Sequence, residues 1–524
     1  MFFVVFLFSF FFVFLFLLLF FFPFFKISFF FFDFSFIVFK FNFYFDNIVF
    51  SFVLILISVS VFFYSLYYMN GEVNFYYYYF VLLVFISSMF CLVFCDSVFF
   101  VLFSWDLLGI SSFFLVLFYN NWDSCSGSMN TVLTNRIGDF FVFIFFSLSF
   151  FIFFNFFSFS YFCFYSSFFL VLAAFTKSAQ FPFGGWLPKA MSAPTPVSSL
   201  VHSSTLVTAG IVLMIKFKFL LMTSFLLKFV LIFGVFTMFF SSFYALYEED
   251  LKKVIALSTL SQMGLSMVSF GLGLSYLCYV HLLSHAIFKS CLFMQVGYLI
   301  HNSFGQQDSR SYSLGNVPFF VYLQILITLF CLCGLFFLSG SVSKDYILCF
   351  FFSNFFSFFF GLFFFLSVFM TFLYSYRVWK VFFFTFSSSV YYNCSSFLFF
   401  FISLPLVFFS LFFVWWLSVN FLTIPSVFIY FDFYFFFYFV VFFFFVYFFL
   451  FKFFSFSVYF FIMDYLPIFF SRFFPDFKYF DVFLNKLNFN FFSLFSFSSF
   501  SSLSVYLNKF NFVVFFVFLF FFMI

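Results

Sequence analysis

A chain of 524 residues that is 67% hydrophobic and only 7% charged is not a soluble domain, in which roughly 25% of residues carry charge. Its net charge of +4 is scattered over single residues, which excludes a nucleic-acid-binding patch. Phe occurs 142 times, more than packing requires, and points to the T-rich coding strand typical of organelle genomes. The ten cysteines include no CxxC pair, whereas cysteine metal centres come as CxxC or Cys/His sets. Cys91, Cys95, Cys331 and Cys333 all sit in apolar runs and read as thiols buried in lipid. GxGxxG and P-loop patterns are missing from the sequence, so nucleotide binding has no motif.

The first stretch, Met1 to Phe25, holds one polar residue, Ser9, and no basic residue ahead of the apolar run. A cleaved signal needs a basic start and a shorter core, so a retained membrane helix is expected. A hydrocarbon core takes about 20 apolar residues per helix, and that arithmetic predicts about fourteen to sixteen spans. Polar, Gly or Pro punctuation places breaks at Pro23–Lys26, Asp33–Asn47, Tyr68–Asn74, Tyr119–Asn130 and Tyr161–Ser167. Later breaks fall at Tyr247–Lys253, His301–Val317, Ser339–Asp345, Ser387–Ser396 and Leu417–Ser426. Uninterrupted apolar runs argue against a β-barrel, whose strands alternate. The fold class is an all-α polytopic membrane protein.

The few charges then stand out. Asp106 lies inside VFFVLFSWDLLGISSFFLVLF, and Arg136 and Asp139 lie in TNRIGDFFVFIFF. From Ala173 to Gly210 the chain carries Lys177 and His202 among Pro182, Gly184, Gly185, Pro188, Pro194 and Pro196. A broken backbone at membrane depth is tolerated only inside protein or beside a wet cavity, so an ionisable group there marks an ion-handling site. Lys252 follows in YEEDLKKVIALSTLSQMG, then His281, His285 and Lys289 in HLLSHAIFKS, Lys344 and Asp345 in LSGSVSKDYIL, and Arg377 in TFLYSYRVWK. Between Lys289 and Lys344 the only other formal charges are Asp308 and Arg310, in a loop.

Positions 281, 285 and 289 share one helix face, each step rising about 6 Å. One or two waters link neighbours at that spacing, making a ladder from ring to ring to amine. Histidine exchanges protons near neutrality, and burial gives lysine access to its neutral form. The competing reading of any single histidine is an interhelical hydrogen bond. Asp106 has a complementary role: a carboxylate beside a buried lysine favours the ammonium, and its withdrawal releases the proton. A static ion pair that pins two helices is the alternative, and the sequence does not choose between them.

The ordered motifs KSAQFPFGGWLPKAMSAPTPVSSLVHSSTLVTAG, DLKKVIALSTLSQMG and HLLSHAIFKSCLFM resemble the subunit 5 family of mitochondrial respiratory complex I. That family belongs to an antiporter-like group with complex I subunits 2 and 4 and the sodium/proton antiporters. The resemblance covers about Trp105 to Lys380; the two ends agree only in hydrophobicity and length. Subunit 4 relatives resemble WLPKAHVEAP with a lysine on the next helix and a glutamate in the late broken helix. Here the run is WLPKAMSAPTP, then His202, with Lys344 in the late segment.

The resemblance implies an antiporter-like core of two inverted five-helix repeats with discontinuous helices, followed by a C-terminal lateral helix. The implied division is 1–95 for N-terminal transmembrane helices, 96–380 for the proton-translocating core and 381–460 for C-terminal transmembrane helices. A lateral helix over 461–509, where charge returns, and an anchor segment over 510–524 complete it. Asp106 stands where the family usually has Glu, one methylene longer. Lys177, His202, Lys252, His281, His285, Lys289 and Lys344 match the family's proton relay, with Lys344 terminal. Arg136 and Asp139 match a polar pair of structural or gating role, and Asp345 and Arg377 are supporting polar residues. The implied function is a proton-translocating membrane-arm subunit of NADH:ubiquinone oxidoreductase in the mitochondrial inner membrane. No cofactor is expected in this chain; flavin, iron–sulfur clusters and ubiquinone belong to other subunits, and bound lipid is expected. Expected partners are other membrane-arm subunits, especially an adjacent antiporter-like one, and no nucleic acid. A cation/proton antiporter and a static scaffold are the alternatives.

Overall fold

Long apolar runs cut by Asn, Gly and Pro fold into helices of membrane-crossing length, because hydrocarbon leaves each backbone amide to be satisfied inside its own segment. The computed structural model describes residues 27–34, 37–95, 98–154, 159–303, 305–309, 319–334, 338–353, 358–384 and 402–412. Among these, nine helices are long and apolar enough to cross a membrane. The helix expected over Met1–Phe25, the breaks at Ser387–Ser396 and Leu417–Ser426, Arg310, the lateral helix and the anchor segment lie outside the described residues.

An antiparallel hairpin opens the described chain, β1 (Ile27–Phe34) pairing with β2 (Ile37–Phe43) so that Ile27 faces Phe43. The sequence reading did not foresee it; aromatic-rich runs suit strands as well as lipid. Helices α1 (Phe45–Tyr68), α2 (Phe75–Phe94), α3 (Val98–Val116) and α4 (Trp122–Phe154) follow. α5 (Phe159–Lys177) ends at a break through Ser178–Pro194, made of short helical turns, before α6 (Thr195–Lys216). Then come α7 (Ser224–Ala245), α8 (Leu251–Gly271), α9 (Ser275–Asn302), α10 (Phe319–Cys333), α11 (Ser339–Ser353), α12 (Phe358–Phe384) and α13 (Ile402–Phe412).

The order repeats. In α2–α6 the fourth span is interrupted after α5, and in α7–α12 the fourth span is interrupted between α10 and α11. The two helices that carry Lys252, His281, His285 and Lys289 are the most enclosed: the spanning windows of α8 and α9 are 100% buried, against 44% in α3 and 50% in α12. The peripheral helices turn apolar stripes outward, Phe103, Ile110 and Phe114 on α3 and Leu362, Phe365 and Phe369 on α12. Such stripes are what a helix presents to lipid, and they leave the polar side chains for the centre.

Several breaks fall elsewhere than the sequence suggested. α4 starts at Trp122, inside the expected Tyr119–Asn130 loop, and α5 runs through Tyr161–Ser167. Ser339–Asp345 forms the first turns of α11; the true interruption follows Cys333, where Gly334 takes φ +79°. A turn at Gly273, with φ +82°, separates α8 from α9, and polarity gave no hint of it. Among the described residues the cysteines form no disulfide, and five of them are buried within the helix bundle, so protein packing and not lipid encloses those five.

Candidate functional site

Lys177 is the last residue of α5, where the helix stops and leaves carbonyls without intrahelical partners. Its side chain is fully buried. The amine donates to the Trp105 carbonyl at 2.6 Å and stands 3.7 Å from the centre of the Trp105 ring. The break beyond it is held from within, as the Trp186 indole donates to the Thr176 carbonyl at 3.0 Å.

Asp106, on α3, does not close a direct ion pair with Lys177. Its carboxylate lies 4.0 Å from the Arg136 guanidinium, which also donates to Asp139 at 3.2 Å. The fields of Asp139 and Asp106 nonetheless reach the Lys177 amine. Four groups, Asp106, Arg136, Asp139 and Lys177, therefore form one electrostatic cluster with two cations competing for two carboxylates.

His202 sits on a π-helical turn, Val201–Thr205, within α6. Such turns often mark functional positions because they interrupt the regular amide ladder. The ring is fully buried, 6.0 Å from the Trp186 ring and beside the Ala190 backbone. Neither ring nitrogen makes a well-formed hydrogen bond among the described residues. Lys252, near the start of α8, donates to the Ala193 carbonyl at 3.4 Å. Both residues thus lean on the short turns within the first helix break.

On α9 the 281, 285, 289 spacing advances by about 40° per step, and the three side chains meet three different helices. The His281 Nδ1 lies 2.9 Å from the Ser343 hydroxyl on α11. That hydroxyl also lies 3.4 Å from the Gly340 carbonyl, and Nδ1 is donor or acceptor to it according to the ring's tautomer. His285 is turned toward the Ser203 backbone on α6, with the fields of Lys289, His281 and Lys344 upon it. Lys289 donates to the Ser258 hydroxyl on α8 at 2.5 Å. Lys344, one turn into α11, donates to the Leu332 carbonyl at the end of α10. Asp345 is half-buried beside it and acts on its charge. Arg377 on α12 donates to the Leu246 carbonyl beyond the end of α7, tying the two ends of the second repeat.

Formal charge was the search criterion in the sequence, and it passed over the neutral partners. Ser343, Ser258, Ser261 and Gln262 were legible as polar residues spaced by three and four in LSTLSQMG or adjacent to Lys344. Lys216 was missed too; it donates to the Leu92 and Cys95 carbonyls at 2.6 and 2.7 Å, closing the end of α2. No group of three or more His, Cys, Asp or Glu placed to hold a metal occurs among the described residues.

A bundle with a break in the fourth span of each repeat, and a buried lysine at each break, has the architecture of an antiporter-like membrane subunit. Residues 95–371 match the NADH:quinone oxidoreductase/Mrp antiporter transmembrane family, more than half of the chain, and the chain belongs to it. NADH-ubiquinone oxidoreductase chain 5 of Ascaris suum is 57% identical over 456 residues, 86% of this chain and 83% of that one. The protein of the same name from Caenorhabditis elegans is 56% identical, covering 86% of each. Among solved structures, a chain of the Mrp complex from Dietzia sp. DQ12-45-1b aligns with TM-score 0.65 at 24% identity, over 77% of this chain and 46% of that one. A chain of the archaeal membrane-bound sulfane sulfur reductase aligns with TM-score 0.63 at 17% identity, over 71% and 80%. These two likenesses concern the fold.

Proposed function

We propose that this chain is a proton-translocating membrane-arm subunit of NADH:ubiquinone oxidoreductase, a multi-pass protein of the mitochondrial inner membrane. Its relatives at 57% and 56% identity are named chain 5 of that enzyme. Flavin, iron–sulfur clusters and ubiquinone belong to other subunits, and this chain moves protons while they move electrons. The observation that carries the reading is the burial, at 5% exposure or less, of Lys177, His202, Lys252, His281, His285, Lys289 and Lys344. Seven titratable groups are too costly in a membrane interior to serve packing alone.

At the Lys177 end, carboxylates favour the ammonium form and Arg136 competes for them. When Arg136 draws Asp106 and Asp139 to itself, Lys177 is left with a carbonyl and an indole face, and its proton is free to pass. The segment Ala190–Ala193 connects this station to His202 and Lys252, the Ser203 backbone connects α6 to His285, and Ser343 connects His281 to the Lys344 helix. Each station accepts a proton as neutral amine or imidazole and gives it up as a cation. The outward apolar stripes meet lipid and an adjacent antiporter-like subunit.

In the assembled complex in vesicles, Lys177→Ala or Lys344→Ala is expected to abolish most NADH-driven proton uptake through this subunit and to slow coupled turnover, with assembly retained. Normal pumping after removal of both lysines would sink the relay. A static scaffold predicts the reverse: Asp106→Asn with Lys177→Met costs stability and leaves pumping intact. A solitary cation/proton antiporter is not favoured, because the relatives are chains of an oxidoreductase.

A further inference from the structure

Gln262 lies in the middle of α8, a helix with no exposed face, and its side chain is 1% exposed. Its Oε1 has no hydrogen-bond partner among the described residues, an expensive state for a buried acceptor. The residue lines a cavity of about 10 Å³ together with Lys344, Ser261 and Thr371 against apolar walls such as Met238 and Val368. That is about the space one water needs, and the polar partners it needs are present. The backbone of Gln262 faces the His281 ring. From the other side, His281 meets Ser343, the residue before Lys344. Gln262 and Ser343 thus bracket the gap between the His281 ring on α9 and the lysine on α11. The Tyr374 hydroxyl lies 3.2 Å from that of Ser261 and steadies the same wall.

We propose that Gln262 is a positioning residue for proton transfer between Lys344 and His281, its Oε1 holding one water in the cavity beside the Lys344 amine. This inference rests on the relay reading above. One O–H of the water is anchored on Oε1 and its lone pair faces the ammonium. As a lysine N–H bond breaks, an O–H bond forms on the water. In the His281 tautomer whose proton sits on Nδ1, the unanchored O–H proton then moves to Nε2, and the water is regenerated. The reverse transfer uses the same atoms. The lysine keeps its anchor on the Leu332 carbonyl and still has two donors for the water, since an ammonium carries three.

The test uses the assembled complex in vesicles, with protons taken up per NADH and the solvent deuterium isotope effect on that uptake as readouts. Gln262→Leu keeps the bulk and removes the acceptor. Thr371→Leu fills the cavity and leaves Gln262 in place. Both variants are expected to lower pumping to the level of Lys344→Ala or close to it, and both should raise the isotope effect, which a purely structural loss leaves unmoved. An assembled Gln262→Leu complex with wild-type pumping and isotope effect overturns the proposal. Should that variant fail to assemble, wild-type behaviour of Thr371→Leu overturns it equally. If Lys344→Ala itself pumps normally, the relay reading falls first, and the two failures are distinguishable.

Discussion

The buried lysines and His281 are each held by a neutral neighbour, and that pairing decides what they can do. The Lys177 amine rests on the Trp105 carbonyl within α3 and the Lys344 amine on the Leu332 carbonyl at the end of α10, with Lys289 on the Ser258 hydroxyl and His281 on the Ser343 hydroxyl. A carbonyl or hydroxyl satisfies either protonation state, whereas a close carboxylate commits an amine to its charged form. Ser343 carries a further duty, since its hydroxyl engages Nδ1 and leaves Nε2 of His281 as the nitrogen without a partner. Ser343→Ala leaves a buried ring nitrogen unpaired, which costs about 1–3 kcal/mol. The expected outcome is a lower unfolding temperature of the purified complex together with slower proton uptake. Unchanged values of both would show that His281 finds another partner at no cost. The lysines and histidines stand out in the sequence because charge is rare in this chain, whereas the serine partners, though legible as polar residues, do not stand out because Ser is common in it.

Helices explain where the sequence reading worked and where it failed. Breaks rich in charge or Asn, such as those after Tyr68 and Ala245, were legible. The last is pinned from outside by the loop beyond α9, where Leu251 N–H donates to the Gln307 carbonyl and Ser309 N–H to the Glu249 carbonyl, both at 3.0 Å. Breaks made by backbone geometry, such as Gly273 and Gly334, were not legible, because a turn needing positive φ requires only one glycine. At the second broken span the chain doubles back so tightly that a Cβ on Gly340 would run into the Cys331 carbonyl. Gly340→Ala must push α11 away from α10, and overpacking of this kind costs typically about 1–3 kcal/mol. On α12, Gly361 has nothing within 4 Å of where a Cβ would stand. There Gly→Ala in a helix gains roughly 0.5–1 kcal/mol. Opposite signs are therefore expected in thermal denaturation of the two variants, with pumping lost only in Gly340→Ala. Equal effects would remove the close approach from the account of the second break.

Across the whole molecule the two repeats meet on α8 and α9, the helices that are buried on every side and that carry Lys252, His281, His285 and Lys289. Composition foretold a polytopic bundle, and ordered motifs foretold its family, yet neither indicated that α9 would send successive side chains to α11, α6 and α8. That branching follows from the 40° drift of a four-residue repeat, and it makes α9 the junction between the break after Lys177 and the break before Lys344. Two arrangements of transport are compatible with a junction: two half-channels that work in parallel, or one line in series. They differ in how lesions combine. For parallel paths, losses at Lys177 and Lys344 add, and a double variant is worse than either single one. For a series line, the first block already stops the flow, and residues that act as one unit are strongly non-additive. The continuity from the Ala190–Ala193 segment through His202, the Ser203 backbone and His285 to His281 and Ser343 favours the series line. Lys177→Met, Lys344→Met and the double variant are therefore expected to show the same residual proton uptake per NADH in vesicles. A double variant with clearly less uptake than either single variant would establish two separate paths, and α9 would then be a shared wall between them.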